Sequence, residues 1–253
     1  MRDKKWYIGC SGFHYKEWKN SFYPEGLPQR KWFDFYCSKF NTIELNVTFY
    51  RFPRVEFLKN WFDKSPDDFI FSVKVPRLIT HYKRLNDCGR LLNDFYSTCS
   101  EGLGKKLGAV LFQFPSLFNY TEKNVALLAG AVQKGFTNVA EFRDKSWWND
   151  EAYKTLNKCG VSFCGISHPS LPETPIVNTK TVYYRFHGVP KLYYSGYDQR
   201  TLNKIIIALS ANKNWKNAFI YFNNTAAVSA IENALWVKQQ TQLKHQIRTR
   251  QRL

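Results

Sequence analysis

Three polar pairs stand out in the chain: Glu44 with Asn46, Glu141 with Arg143, and Arg185 with His187, each pair separated by one apolar residue. Alternate residues of a β-strand face the same way, so this spacing aims both members of each pair into one space. Lys74, Gln113 and Asn223 close other β-rich runs in the same manner. Charge without a partner is expensive to bury, and here three cations (Lys74, Arg143, Arg185) face two acids (Glu44, Glu141). The imbalance predicts a pocket for a small anionic ligand, a carboxylate or a phosphate, gripped by arginine. Glu44, Lys74, Glu141 and His187 are the candidate catalytic residues. His187 or Glu141 would act as acid or base, Lys74 and the arginines would stabilise charge, and Glu44 would orient a hydroxylated substrate. The competing structural reading is a salt-bridge network that only fixes a polar layer.

Residues so far apart must be gathered by a repetitive scaffold. β-rich runs at 7–11, 42–46, 70–75, 109–114, 139–143, 162–167, 182–187 and 218–223 alternate with helical patterns at 30–39, 55–64, 87–100, 122–134, 150–158, 200–212 and 228–240. Alternating β and α elements imply a parallel sheet, and eight strands suffice to close one into a barrel. The fold expected is a single α/β domain, a TIM-like (β/α)8 barrel with a closed parallel sheet and outer helices. The β6–β7 connection is atypical, because Pro169, Pro172 and Pro175 forbid an ordinary crossover helix. Catalytic groups of such barrels lie at the C-terminal ends of the strands, where the polar pairs fall. Aromatics crowd the same rim: Phe13, Tyr15 and Trp18, then Phe49 and Tyr50, then Trp147 and Trp148. His81 follows the third run.

Composition narrows the function classes. The formal net charge is +17, which favours contact with polyanions, so a nucleic-acid-binding or nucleic-acid-processing protein is the second reading. Lys238, Lys244, Arg248, Arg250 and Arg252 follow the last acid, Glu232. The expected division is therefore a barrel domain at 1–241 and a basic tail at 242–253. A third reading is a non-catalytic ligand sensor. No apolar run approaches the length of a membrane span, and the charged start from Met1 to Lys5 leads straight into Trp6 without a secretory apolar stretch. A cytoplasmic protein that avoids membranes is expected. Six cysteines without CxxC spacing predict reduced thiols rather than a disulfide or zinc framework. The sequence does not identify a cofactor. A single divalent metal ion on Glu44 and Glu141 is a disfavoured alternative, since neighbouring cations oppose it. Oligomeric state is not legible.

Several motifs together resemble the YecE-like family along nearly the whole chain. They are IGCSGF at 8–13, FYP at 22–24, NTIELNVTFY at 41–50, KVP at 74–76 with Thr80 and His81, LFQFP at 111–115, EFRDKSW at 141–147, RFHG at 185–188 and YFNN at 221–224. The resemblance implies a β/α barrel with no assigned reaction. It also points to the mouth residues Asn46, Thr48, His81, Gln113, Arg143, Trp147, Arg185 and Asn223, which with Tyr50 of the aromatic rim are the expected substrate-binding positions beside the four catalytic candidates. The chain departs from the family pattern at Phe13, at Ser167 and His168, and after Asn224.

Overall fold

The computed structural model describes the backbone of residues 4–250 and the side chains of residues 4–243. Eight strands, β1 (Lys5–Cys10), β2 (Thr42–Leu45), β3 (Ile70–Lys74), β4 (Leu107–Phe114), β5 (Asn138–Phe142), β6 (Val161–Ser167), β7 (Thr181–Phe186) and β8 (Asn217–Phe222), occur at the expected places. From β2 to β8 each strand pairs in parallel with the next, and β8 returns to pair in parallel with β1. The helices are α1 (Trp32–Lys39), α2 (Val47–Tyr50), α3 (Val55–Lys64), α4 (Gly89–Leu103), α5 (Glu122–Ala131), α6 (Asp150–Lys158), α7 (Gln199–Ala211) and α8 (Ser229–Arg250). No helix joins β6 to β7, in keeping with the three prolines. The result is a nearly closed (β/α)8 barrel.

The seam between β1 and β2 is where closure departs from the ideal. Only an isolated bridge from Ser11 to Glu44 links the two strands as a sheet would. Above α1's apolar stripe the Tyr36 hydroxyl enters this seam, accepting from the Cys10 amide at 2.8 Å and donating to the Thr42 carbonyl at 3.1 Å. A side chain thus replaces the missing rungs, satisfying backbone groups that would otherwise be buried unpaired. Gly9 makes the close approach feasible, because a Cβ there would sit 2.3 Å from the Thr42 carbonyl oxygen.

Strand alternation divides the apolar side chains into two clusters. The larger lies between sheet and helices and is rich in aromatic contacts, such as Tyr23 stacked on Trp32 at 4.4 Å. The smaller fills the barrel with Ala109, Leu111, Val139, Cys164, Tyr183, Phe219 and Tyr221. Polar groups interleave with this inner cluster, the Tyr221 hydroxyl meeting Thr42 at 2.5 Å and Ser72 at 2.9 Å. Two helix starts are capped by short polar side chains that accept a backbone N–H, α6 by Asn149 and α7 by Asp198. Helix α8 runs unbroken past residue 242. The side chains of Lys244, Arg248, Arg250 and Arg252, which carry most of the expected basic tail, lie outside the described residues.

Candidate functional site

At the upper end of the barrel, β2, β5 and β7 bring Glu44, Glu141 and Arg185 together. Arg185 is 1% exposed and divides its guanidinium between both carboxylates, at 2.8 Å from Glu44 Oε1 and 2.6 Å from Glu141 Oε2. Ser11 and Tyr183 donate to the two oxygens of Glu44, each at 2.6 Å. Arg143 meets Glu141 Oε1 at 2.7 Å, close enough for an ion pair although off the ideal hydrogen-bond angle. Burial pushes the Glu141 carboxyl upward, but Arg143, Arg185 and His187 outweigh it and hold the group well below the usual carboxylate range. It stays ionised at neutral pH.

His187 continues the same face of the chain beyond β7. Its Nε2 lies 3.2 Å from Arg143 Nη2 and 3.3 Å from Glu141 Oε2, while Nδ1 faces the Asn223 amide at 3.0 Å. Burial first, then the two arginines against the pull of Glu141, lower its pKa to about 3. The ring is neutral at pH 7.

Lys74 is the odd charge. With both glutamates committed to arginine, its ammonium forms no hydrogen bond or close ion pair among the described residues and rests on the Phe49 ring, 3.9 Å from the centroid. Burial, then Arg185, lowers its pKa to about 7 against the partial support of Glu141 and Glu44. A π-helical turn (Leu78–Tyr82) after β3 brings His81 edge-on against Phe49, with ring centroids 5.1 Å apart. His81 Nδ1 is held by Thr80 at 2.9 Å and Nε2 faces Gln113 at 3.4 Å. Burial, Lys74 and Arg143 bring its pKa down to about 4. Gln113 lies level with Glu141 across the β4–β5 ladder.

The remaining expected positions separate. Asn46 reaches the Ser11 carbonyl at 3.3 Å and leaves its buried Oδ1 without a partner among the described residues. Thr48 is a clip, its hydroxyl donating toward the Leu45 and Lys74 carbonyls and accepting from the Lys74 amide, so it steadies the backbone rather than facing a ligand. Tyr50 stands on the outer rim, largely exposed. Two expectations need correction. Trp147 is fully buried in the outer layer, stacked at 3.8 Å on Phe142 with its indole N–H bound by the Phe118 carbonyl, because Phe142 alternates with inward Glu141 and draws the indole to the helix side. Arg185 lies buried beneath the barrel mouth rather than lining it, since both terminal nitrogens are taken by glutamate.

Ser11 and Tyr183 were not among the candidates. Tyr183 precedes Arg185 by two residues, so the alternation that selected Arg185 and His187 extends to it. Glu44 and Glu141, the pair considered for a divalent ion, already bind arginine. Among the described residues no cluster of three or more His, Cys, Asp or Glu side chains is placed to hold a metal. No helix among them is long and apolar enough to cross a membrane.

Comparison with known proteins places this geometry in a wider set. The family model for "Protein of unknown function DUF72" matches residues 7–252. The UPF0759 protein YunF of Bacillus subtilis (strain 168) is 27% identical over 261 residues, spanning 90% of this chain and 91% of that protein. The UPF0759 protein YecE of Escherichia coli (strain K12) is 33% identical over 163 residues, 60% of this chain and 59% of its own length. The crystal structure of a DUF72 family protein from Thermotoga maritima MSB8 superposes with a TM-score of 0.84 at 29% identity, covering 94% of this chain and 99% of that one. A DUF72 family protein from Enterococcus faecalis V583 shares the fold, with a TM-score of 0.79 at 21% identity over 96% of this chain and 99% of its own. The motifs on the inner strand ends and the match along almost the full sequence agree: the chain belongs to the YecE-like DUF72 family.

Proposed function

We propose that the barrel mouth is an anion-binding active site for a small hydroxylated or phosphorylated substrate, with Lys74 as its central group. The observation that carries this reading is the surplus cation: Arg185 and Arg143 are neutralised by Glu44 and Glu141, whereas Lys74 has only the face of Phe49. A buried ammonium without a counter-charge creates a field that an anion relieves. Half-buried Asn46, His81, Gln113, Arg143 and Asn223 supply hydrogen-bonding groups around it. The ionised Glu141 and neutral His187 are poor acids at pH 7, so the proton-transfer role moves to Lys74, the group poised near neutrality. Free cysteines, most of them buried, suit a reducing compartment such as the cytoplasm.

Thermal unfolding with inorganic phosphate and with ribose 5-phosphate tests the proposal. Binding at 100 times Kd should add about 2.7 kcal/mol and raise Tm by a few degrees. Lys74→Met and Arg143→Ala, each checked for native circular dichroism, should lose that rise. A wild-type Tm indifferent to both anions, or an equal rise in both variants, would remove the pocket from consideration.

A second reading, nucleic-acid contact, has its own observation. Arg77 lies 5.6 Å from both the Tyr50 and Tyr82 rings on the exposed rim of the same mouth. Stretches 45–55 and 75–86 hold Arg51, Arg54, Arg77, Lys83 and Arg84 with no acidic residue.

A further inference from the structure

We infer that Lys74 is a nucleophile that condenses with the carbonyl group of an aldehyde or ketone substrate to form an imine. The inference rests on the anion-site reading for the substrate's acidic group but stands on separate geometry. A lysine suited to this chemistry needs a neutral amine, a lone pair free of hydrogen-bond partners, and a dry surface that excludes competing water. Lys74 meets each requirement. It is 8% exposed at the C-terminal end of β3 and lies against Phe49. Neither glutamate binds it, because each is held by arginine. Thr48 fixes the lysine backbone from both sides, accepting from its N–H at 3.1 Å and donating to its carbonyl at 2.6 Å, so the amine is aimed by a rigid stem.

The charged groups acting on this amine are Glu44 from β2, Glu141 from β5, Arg143 just beyond it and Arg185 from β7, while His81, whose own pKa Lys74 lowers, packs against the same Phe49 ring. Burial and the arginines favour the neutral amine, while the glutamates oppose them. The reaction balances without a co-reactant. The amine nitrogen attacks the carbonyl carbon, the C=O π pair moves to oxygen, and a proton passes from nitrogen to that oxygen to give a carbinolamine. The carbinolamine then loses its hydroxyl as water with a second proton, leaving C=N. Neutral His81, oriented by Thr80, packs edge-on against the same Phe49 ring that carries Lys74 and is the group we assign to relay those protons. An iminium formed here keeps a positive charge near ionised Glu141 and near Glu44, both of which favour a cationic nitrogen against burial and the arginines.

Reductive trapping tests this. The full chain is incubated at pH 7 with glycolaldehyde, a neutral probe, or glyoxylate, an anionic one, together with sodium cyanoborohydride, and adducts are located by peptide mass spectrometry. An ordinary lysine with a pKa of about 10.4 is neutral in fewer than about one in a thousand molecules at pH 7, so Lys74 should label at least ~10-fold faster than any surface lysine. Lys74→Arg, which keeps the charge, should abolish that fast adduct while leaving the slow surface labelling. Labelling of Lys74 by glycolaldehyde no faster than surface lysines overturns the inference. The two proposals fail separately. Phosphate-induced stabilisation without fast trapping sinks the imine and spares the anion site, whereas fast trapping by glycolaldehyde without a phosphate effect or a preference for glyoxylate does the reverse.

Discussion

Burying Lys74 beside Arg185 destabilises the barrel, because Glu44 and Glu141 only partly offset the lost hydration. Its pKa is lowered from 10.5 to about 7, burial being the larger cause and Arg185 the next. The unfolded chain therefore holds a proton that the folded chain releases across that interval. Since the unfolded state binds more protons there, stability rises with pH between about 7 and 10.5, and the penalty is complete below 7. Lys74→Met removes a buried charge at nearly constant volume and should stabilise the protein at pH 6 by at most about 5 kcal/mol, with the alkaline rise flattened. Urea unfolding from pH 5 to 10 measures both. The acid limb should survive the substitution, because it comes from other groups. Glu141 is depressed below its ordinary value and His187 falls from 6.5 to about 3. Both release stability as pH drops, so wild type and variant should weaken together below about 6.5. A variant less stable than wild type at pH 6 would show that Lys74 is paired in a way the geometry lacks. A group kept at such a cost at the mouth of a barrel is more economically explained by function than by folding.

At the scale of elements, the strands were legible because inward and outward residues alternate, and the polar pairs at their ends were legible for the same reason. What pairs with what was not. Whether Arg185 faces a ligand or two glutamates depends on barrel geometry, since Glu44, Glu141 and Arg185 come from three strands far apart in sequence. Trp147 misled for a related cause: a tryptophan five residues past a strand can turn to the pocket or to the helix layer, and only its packing on Phe142 decides. The β1–β2 seam was equally hidden, because Tyr36 belongs to the apolar stripe of α1 with Trp32 and Phe35, and nothing in that spacing marks its hydroxyl. Yet that hydroxyl bridges the Cys10 amide and the Thr42 carbonyl. Tyr36→Phe should leave both buried backbone groups unpaired and cost about 1–3 kcal/mol. Hydrogen exchange at the Cys10 amide should accelerate more than at the β7–β8 ladder, where pairing runs from Thr181 to Phe186 without interruption. Equal acceleration everywhere would mean that the hydroxyl supports global stability and not the seam. Since Ser11, at the end of β1, donates to Glu44, an opened seam should also disturb the site.

On the scale of the whole molecule, a net charge of +17 demands a distribution, and its distribution decides whether it matters. A uniform positive surface yields weak, featureless attraction, whereas cations interleaved with rings can seat a single-stranded backbone and stack its bases. The rim of β2 and β3 has the second character. Tyr50 and Tyr82 are 64% and 65% exposed, and Arg77 lies 5.6 Å from each ring. This rim adjoins Lys74 through Phe49, which packs edge-on against Tyr50 at 5.2 Å. A polyanion laid across it would carry a terminal or splayed group toward Lys74, so the small-anion and nucleic-acid readings predict different salt responses of one surface. If nucleic acid is the partner, affinity for a short single-stranded oligonucleotide should fall linearly in log–log form with salt, with a slope of about −0.7 for each phosphate neutralised. Arg77→Ala should then reduce the slope and weaken binding together, while Tyr82→Ala should weaken binding by about 1–3 kcal/mol and leave the slope unchanged, because stacking releases no counterions. Fluorescence anisotropy from 20 to about 300 mM salt distinguishes the two. Retention of the oligonucleotide unaltered by either substitution would move the contact away from this rim, and no retention even at low salt would leave the mouth to small anions alone.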